Sequence, residues 1–257
     1  MYNDVIWGTL YWEHNYVTVF GSVGMILKNK SDYKYYAEKL RSHPEFSPLS
    51  DKYINQLIDE MTIKTYHRGQ ILFDQGDTRD RFYYLIEGVA KSFHWDKNGE
   101  EQLYLYIRPQ KAFPYIGLFE ADRYAYTVET MTEVKIAEFP MPVYEQILRE
   151  NPELMENAVK EMSKIIDTSE TQLQRMVTTS AKCRVWNAIL FIGQQIGDLQ
   201  ADETILVPYP ITLVELSKVS GTTRETTSQM VQQLVAENKI QYNRKYFKIL
   251  EVDDESF

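Results

Sequence analysis

Near the C-terminus, two groups of opposite hydrogen-bonding character stand side by side. The segment reads Gly221-Thr222-Thr223-Arg224-Glu225-Thr226. An arginine can donate two hydrogen bonds to guanine, and a glutamate can accept one from the amino group of cytosine. Hydroxyl side chains can bind phosphate oxygens, which positions a reading element without specifying sequence. The segment is therefore a candidate for the recognition of base pairs in duplex DNA.

Two helices are predicted to position this segment. Thr212 and Glu215 have the spacing of a capping box, so a helix begins at Thr212, and it must be short because Gly221 follows closely. A second helix, capped by Thr222 or Thr223, is predicted over residues 223–237. Its inward positions are Thr227, Met230, Val231, Leu234 and Val235, and its outward positions are Arg224, Glu225, Ser228, Gln229 and Gln232. This is the layout of a helix-turn-helix, whose second helix enters the major groove by its N-terminal residues.

A hairpin is predicted after the second helix. Residues 240–250 contain two short apolar runs around the tip Asn243-Arg244-Lys245. Such a wing can touch the adjacent DNA backbone. The predicted DNA contacts are Thr212, Thr223, Arg224, Glu225, Thr226, Ser228, Gln229, Arg244 and Lys245.

The same residues also have a purely structural interpretation. In this interpretation Glu225 is simply the reciprocal cap of Thr222, and Arg224 is an ordinary exposed helix charge. Taken alone, Arg224 and Glu225 support both interpretations equally. The two capped helices and the basic hairpin together favour DNA binding.

The composition is that of a globular chain without recognisable catalytic groups. At 257 residues, 44% of them hydrophobic, the chain is long enough for two modest domains. Its one cysteine, Cys183, excludes an intrachain disulfide and suits a reducing cytoplasm, where we expect the protein to act. The four histidines lack ligand spacing, and no nucleophile–base pair or phosphate loop is found. We therefore expect no metal, no cofactor and no enzymatic activity.

Charge is distributed unevenly along the chain. The net charge of −9 argues against a protein that coats nucleic acid indiscriminately. Residues 211–250, however, contain six basic residues and three glutamates, a local charge of +3. This asymmetry fits a DNA reader of limited footprint.

Residues 1–45 are predicted to form an N-terminal extension and a helix. Their longest apolar run, residues 17–27, is interrupted by polar residues and is shorter than the roughly 20 residues that span a bilayer. Acidic residues precede it where a secretion signal would be basic, so we expect no membrane contact. Because residues 1–24 have no clear period, we predict Met25 as the natural start. Residues 31–61 then have helical spacing.

Residues 46–141 are predicted to form an antiparallel β domain. After Tyr66 the apolar period changes to two, and turn signals recur at about ten-residue intervals. Asn98-Gly99 is typical of a two-residue hairpin turn. This pattern predicts a sandwich, a barrel or a roll, and the chain as a whole is α+β.

Residues 142–179 are predicted to form a linker and a long helix that begins near Pro152. Apolar or small residues recur on this helix at alternating three- and four-residue steps: Met155, Ala158, Met162, Ile165, Ser169, Leu173 and Met176. Such a stripe is expected where two helices pack in a dimer. It also suits the core face of a helix that lies on the β domain, but the length and polar remainder of the helix favour the dimer. Residues 180–257 form the DNA-binding domain.

Residues 211–226 closely resemble the helix-turn-helix of the Crp/Fnr family of bacterial transcription regulators. A weaker, collinear resemblance covers residues 66–139, through Gln75-Gly76-Asp77, residues 83–88, Asn98-Gly99 and residues 116–120. The resemblance implies a cyclic-nucleotide-binding-like jelly roll, a long dimerisation helix and a C-terminal winged helix-turn-helix. It also implies that Arg224 and Glu225 read bases in each half of a two-fold symmetric site, with RNA polymerase as a candidate further partner.

The sequence departs from the family where an effector would bind. Members that bind cyclic AMP carry a Gly-Glu pair and an Arg-Ser pair where this chain has Pro114-Tyr115 and Arg123-Tyr124. The carboxylate for the ribose is missing, so cyclic AMP is not the expected effector. The candidate effector contacts are Tyr115, Arg123 and Tyr124, and the small-molecule effector itself is unknown. Gln229 replaces an arginine that reads bases in many members, which leaves the exact half-site open.

The sequence thus predicts a homodimeric regulator that binds a palindromic DNA site. The alternative is a small-molecule-binding β-roll module whose C-terminal domain contacts protein rather than DNA. An Arg224→Ala substitution separates the two, because only a DNA reader loses DNA affinity.

Overall fold

The structure, a computed structural model, describes residues 16–19, 22–26, 30–97, 99 and 101–251, with the backbone alone at 16–19, 22–26, 30–33 and 175–176. Its helices are α1 (Lys30–Ser42), α2 (Asp51–Glu60), α3 (Met141–Glu150), α4 (Pro152–Met176), α5 (Ala181–Ile196), α6 (Leu213–Ser220) and α7 (Arg224–Ala236). Its first strands are β1 (Tyr16–Val19), β2 (Ser22–Ile26), β3 (Thr62–Tyr66), β4 (Ile71–Phe73), β5 (Arg81–Glu87), β6 (Ala90–Trp95) and β7 (Glu101–Ile107). The others are β8 (Lys111–Phe113), β9 (Thr127–Thr130), β10 (Val134–Pro140), β11 (Asp198–Leu199), β12 (Ile205–Val207), β13 (Ile240–Asn243) and β14 (Tyr246–Ile249).

Two antiparallel sheets form the predicted β-roll. One has the strand order β1-β2-β3-β10-β5-β8, and the other has the order β4-β9-β6-β7. Between them the interior is filled by stacked aromatic rings: Phe73 lies 3.8 Å from Tyr124, and Tyr83 lies 5.4 Å from Phe113, measured between ring centroids. The α+β class and the roll are as predicted, and the roll's interior is packed with its own side chains.

The β6–β7 hairpin differs in detail from its prediction. Trp95 pairs with Glu101, so the loop has five residues rather than the two of an Asn-Gly turn. Gly99 has the left-handed φ of +76° that favours glycine, and Asn98 lies outside the described residues.

The N-terminal region contains two strands that sequence analysis did not predict. Strand β2 pairs with β3, with Met25 opposite Ile63. The segment lacks the alternation of apolar and polar residues that identifies a half-buried strand. Met25 as the natural start stays a prediction.

The predicted dimer stripe on α4 divides into two parts. Ala158 is fully buried against the core of the roll, and Met155, Met162 and Ile165 are half-buried against the same core. For these residues the core-face interpretation is right within the single chain, because α4 lies along its own roll. Their part in a dimer stays a prediction. Ser169 bonds back to the carbonyl of Ile165, and the side chain of Met176 lies outside the described residues. Leu173 is exposed.

Helices α5, α6 and α7 pack with the sheet β11-β12-β14-β13 in a winged-helix unit. Its core is continuous with part of the roll, since Val89, Tyr106 and Met131 are buried in the same cluster as Val185 and Leu216. The winged unit therefore docks on the roll. Within the part of the chain that the structure describes, no helix combines the length and apolar character needed to cross a membrane.

Candidate nucleic-acid interface

The first helix of the helix-turn-helix begins at the predicted capping box. The Thr212 hydroxyl accepts a hydrogen bond from the Glu215 amide at 3.1 Å, and the Glu215 carboxylate accepts one from the Thr212 amide at 2.7 Å. The helix ends at Gly221, whose φ of +58° is left-handed. A glycine adopts this conformation without the steric cost of a Cβ atom, so the turn into α7 is sharp.

Thr223, not Thr222, caps the second helix. The Thr223 hydroxyl accepts a hydrogen bond from the Thr226 amide at 3.2 Å. The Thr222 hydroxyl instead pairs with those of Ser220 and Thr227, at 2.9 and 2.7 Å, and so holds the turn together from inside. The helix then runs from Arg224 to Ala236, within one residue of the predicted range at each end.

The first turn of α7 presents its charges to solvent. The side chains of Arg224 and Glu225 are 63% and 76% exposed, and their charged groups lie 4.0 Å apart. On the opposite face, Thr227, Val231 and Leu234 are buried. Gln229 and Gln232 are exposed, and Ser228 and Thr226 are half-buried. Val235, predicted to face inward, is exposed because one further step of about 100° beyond Leu234 carries it out of the core.

The wing is a tight hairpin with two basic residues in its turn. Strands β13 and β14 pair as far as Asn243 and Tyr246, so Arg244 and Lys245 alone connect them. Their φ angles are +50° and +76°, and both side chains are exposed. The amide of Ile211 donates to the carbonyl of Lys245 at 2.8 Å, which fixes the tip relative to the start of α6.

Three other basic residues of the +3 segment are bound within the chain. Lys218 contacts Glu101, Lys239 contacts Glu251, and Lys248 contacts Asp202, each at 2.9 Å. Among the described residues, Arg244 and Lys245 have no ion-pair partner. Within residues 211–250, the cations left for an external anion therefore lie at the recognition helix and the wing.

A groove of about 1300 Å³ separates the start of α7 from the roll. Its walls include Trp95, Glu101, Gln102, Leu103 and Tyr104 on one side, and Thr222, Thr223, Arg224 and Thr226 on the other. The Lys218–Glu101 pair crosses between the two walls. No local pattern in the sequence marks this pair, because its members are 117 positions apart.

The three candidate effector residues do not meet at one site. Tyr115 is buried and donates a 2.5 Å hydrogen bond to Glu45. Tyr124 is also buried and bonds to the backbone of Arg81, whereas Arg123 is exposed and donates to the carbonyl of Gly76 at 2.6 Å. Each side chain is thus engaged within the protein. Among the described residues, no three or more His, Cys, Asp or Glu side chains lie together in a group that could hold a metal ion.

Comparison with known proteins agrees with this architecture. Residues 63–151 match the model of the cyclic nucleotide-binding domain. A global nitrogen regulator from Nostoc sp. is 25% identical over 186 residues, which are 71% of this chain and 82% of that protein. The cAMP-activated global transcriptional regulator CRP of Haemophilus influenzae is 22% identical over 209 residues, 81% of this chain and 92% of that protein.

Solved structures give the same result for the fold. A CRP/FNR-family transcriptional regulator from Thermus thermophilus has a TM-score of 0.58 and 22% identity, over 74% of this chain and 93% of that one. The chain contains a cyclic nucleotide-binding domain and has the fold of this CRP/FNR-family regulator. A c-di-GMP responsive global regulator from Xanthomonas campestris has a TM-score of 0.66 and 16% identity, and the match covers 79% of this chain and 100% of that one. These similar proteins carry the names of regulators and not of enzymes.

Proposed function

We propose that this protein is a homodimeric, sequence-specific DNA-binding transcription regulator of the Crp/Fnr type, whose recognition helix at residues 223–237 reads a palindromic site. The observation that carries the proposal is the exposed Arg224–Glu225 pair at the first turn of a helix whose other face is buried. The division into segments 1–45, 46–141, 142–179 and 180–257 is part of the proposal.

In the proposed complex, the recognition helix enters the major groove by its first turn. Arg224 donates to guanine and Glu225 accepts from cytosine, while Gln229 lies one turn further along the exposed face. Arg244 and Lys245 neutralise phosphates beside the groove. The hydroxyls of Thr212, Thr223, Thr226 and Ser228 are the proposed neutral phosphate contacts.

Pairing of two copies through α4 would give the dimer the two-fold symmetry that a palindromic site requires. Val159, Ile166 and Leu173 are exposed at successive seven-residue steps, the spacing of a two-helix seam. We place the dimer contact on this face instead of on the stripe that packs against the roll. Two recognition helices about 34 Å apart would then read half-sites one helical turn apart. RNA polymerase remains a candidate further partner on the family resemblance alone.

The test is selection of DNA from a random library by the purified full chain, followed by affinity measurement on the selected site. Arg224→Ala should weaken binding by about 1–3 kcal/mol, or roughly 5- to 150-fold. Arg68→Ala is the matched control, because it removes the same charge from an exposed turn of the roll. Failure to enrich any sequence, or an Arg224→Ala variant that binds the selected site as the wild type does, would favour a protein-contact module instead.

A further inference from the structure

A second cavity, of about 550 Å³, lies where three parts of the molecule meet. The roll contributes the β7–β8 turn, residues 108–111, and α4 contributes Asn157, Lys160, Glu161 and Lys164. The segment after α1 contributes residues 43–45, and the winged unit contributes residues 196–198 and Tyr209. The proposed DNA contacts use none of these residues.

The wall of this cavity is basic, although the chain as a whole is acidic. Arg108, Lys111, Lys160 and Lys164 bring four positive charges, against the two carboxylates of Glu161 and Asp198. The third carboxyl of the wall, Glu45, is buried and accepts hydrogen bonds from two tyrosine hydroxyls. Without Glu45 the wall has a charge of +2, in a chain of −9.

The positive charges of the wall are incompletely neutralised. Lys111 and Lys164 share one carboxylate, that of Glu161, at 2.8 and 2.6 Å. Among the described residues, Arg108 has no ion-pair partner and is exposed. Within the described ranges, the one ion pair of Lys160 is with the exposed Glu156 on its own helix. An anion in the cavity would therefore complete pairs that the protein leaves open.

Hydrogen bonds hold the floor of the cavity in place. The ring of His43 contacts the carbonyl of Gln110 at 2.6 Å, and the Asn157 amide donates to the carbonyl of Pro44 at 3.2 Å. Burial lowers the pKa of His43, so the ring acts as a neutral hydrogen-bonding group at neutral pH. Burial also raises the pKa of Glu45 to about 7, so this carboxyl carries less than a full negative charge there. The basic groups thus surround a fixed floor.

We propose that this cavity binds a small polyanion, a metabolite with two or more phosphate or carboxylate groups, through Arg108, Lys111 and Lys164. The volume lies in the range of ordinary small-molecule sites, and the separated cations suit a ligand with more than one anionic group. Because the wall includes both the roll and the winged unit, bound ligand would tie the two together. Binding itself does not depend on the proposed DNA function, and only its regulatory consequence rests on that function.

The site is tested by titrating the full chain with inorganic pyrophosphate and, separately, with citrate, against sodium chloride of equal ionic strength. We expect at least one probe to bind with a Kd below about 1 mM, measured by calorimetry. Binding of pyrophosphate alone would identify a phosphorylated ligand, and binding of citrate alone a polycarboxylate. If neither probe binds more tightly than chloride, the proposal is wrong.

Variants locate the binding. Arg108→Gln and, independently, Lys164→Gln should each weaken the probe about tenfold, whereas Arg68→Gln on the roll should bind it unchanged. Folded Arg108→Gln and Lys164→Gln variants with wild-type affinity would overturn the assignment. DNA affinity is measured separately with and without the probe. A probe that binds without changing DNA affinity supports the binding site and refutes its regulatory role. If the protein does not bind DNA at all, only the proposed DNA function is refuted.

Discussion

The ammonium group of Lys218, on the first helix of the helix-turn-helix, lies 2.9 Å from the carboxylate of Glu101 on the roll. Glu101 also accepts from Lys91 at 3.1 Å, and Lys91 contacts Glu129 at the same distance. Burial alone would raise the pKa of Glu101, but the hydrogen bonds from Lys218 and Lys91 lower it below its ordinary value. This network of alternating charges connects the winged unit to the roll.

Removal of the Glu101 charge should loosen that connection. We expect Glu101→Gln to cost about 1 kcal/mol, a modest figure because Lys218 is partly exposed, and to lower Tm by about 2–4 °C in calorimetry. Glu87→Gln is the matched control, since its contact with Lys135 is longer, at 3.8 Å, and exposed. Equal losses in both variants would contradict a specific role for Glu101.

The same pair predicts a pH dependence. A carboxylate whose folded pKa is lowered contributes stability above its unfolded pKa and loses it as the pH falls through the folded value. The Tm difference between wild type and Glu101→Gln should therefore be full at pH 7 and shrink below pH 4.5, the ordinary pKa of the group. A difference that grows on acidification would show that Glu101 is not stabilised as a carboxylate.

The dimer seam gives the next prediction. Val159, Ile166 and Leu173 are 49%, 58% and 68% exposed in the single chain, so a charge among them disturbs only an assembled pair. Ile166→Glu should convert the dimer to monomer at micromolar concentration in sedimentation equilibrium, because it desolvates a carboxylate at the seam. Ile166→Leu is the conservative control and should remain dimeric.

A substitution in the other stripe should have a different effect. Met162 packs against the roll, so Met162→Ala should lower the free energy of unfolding by about 1–2 kcal/mol and leave the dimer intact. The reverse result, a dimeric Ile166→Glu and a monomeric Met162→Ala, would restore the stripe first predicted from the sequence.

The helix-turn-helix could be predicted almost residue by residue, because its determinants are local. The capping box joins residues three positions apart, and Gly221 is itself the left-handed residue of the turn. On α4 the period was equally clear, yet the period alone does not say which face meets the roll. Apolar residues occur on both faces, and packing assigns each face to its neighbour.

The interior of the roll was beyond local reasoning. The family resemblance groups Tyr115 with Arg123 and Tyr124 because they align with one phosphate-binding segment, but in the fold these side chains bond to different partners. The Glu45 carboxyl meets tyrosines that are 70 and 99 positions away. No spacing in the sequence marks a cluster formed by such distant segments.

The wing gives a prediction in which stability and binding change in opposite directions. Arg244 and Lys245 occupy left-handed conformations that cost a side-chain-bearing residue about 1–2 kcal/mol each, whereas Asn-Gly is the favoured pair in such a turn. The double variant Arg244→Asn, Lys245→Gly should raise the free energy of unfolding by about 1–2 kcal/mol. It should also weaken DNA binding and reduce the salt slope by about 2.

The double variant Arg244→Ala, Lys245→Ala separates the two effects. It removes the same charges without a residue that favours the left-handed conformation, so it should lose DNA affinity and gain no stability. Wild-type affinity and salt slope in both double variants would exclude the wing from the DNA interface.

The buried carboxyl of Glu45 gives the final prediction, a pH dependence of opposite sign to that of Glu101. Burial raises its pKa to about 7, although hydrogen bonds from Tyr115 and Tyr144 act to lower it. In the unfolded chain the group titrates near 4.5, so between pH 4.5 and 7 the unfolded state releases a proton that the folded state retains. The contribution of Glu45 to stability is therefore greatest below pH 4.5 and declines as the pH rises towards 7.

Glu45→Gln removes this titration and leaves an uncharged side chain of the same shape. Relative to wild type, the variant should gain stability from pH 5 to pH 8 by up to roughly 3 kcal/mol, measured by urea unfolding at each pH. Glu150→Gln is the control, because Glu150 accepts a tyrosine hydrogen bond, from Tyr53 at 3.0 Å, on the surface. Hydrogen bonds from Gln146 and Tyr53 lower the pKa of Glu150, so that variant should show no gain towards high pH. A flat difference for Glu45→Gln would mean that the tyrosine hydroxyls outweigh burial and keep the buried carboxyl ionised.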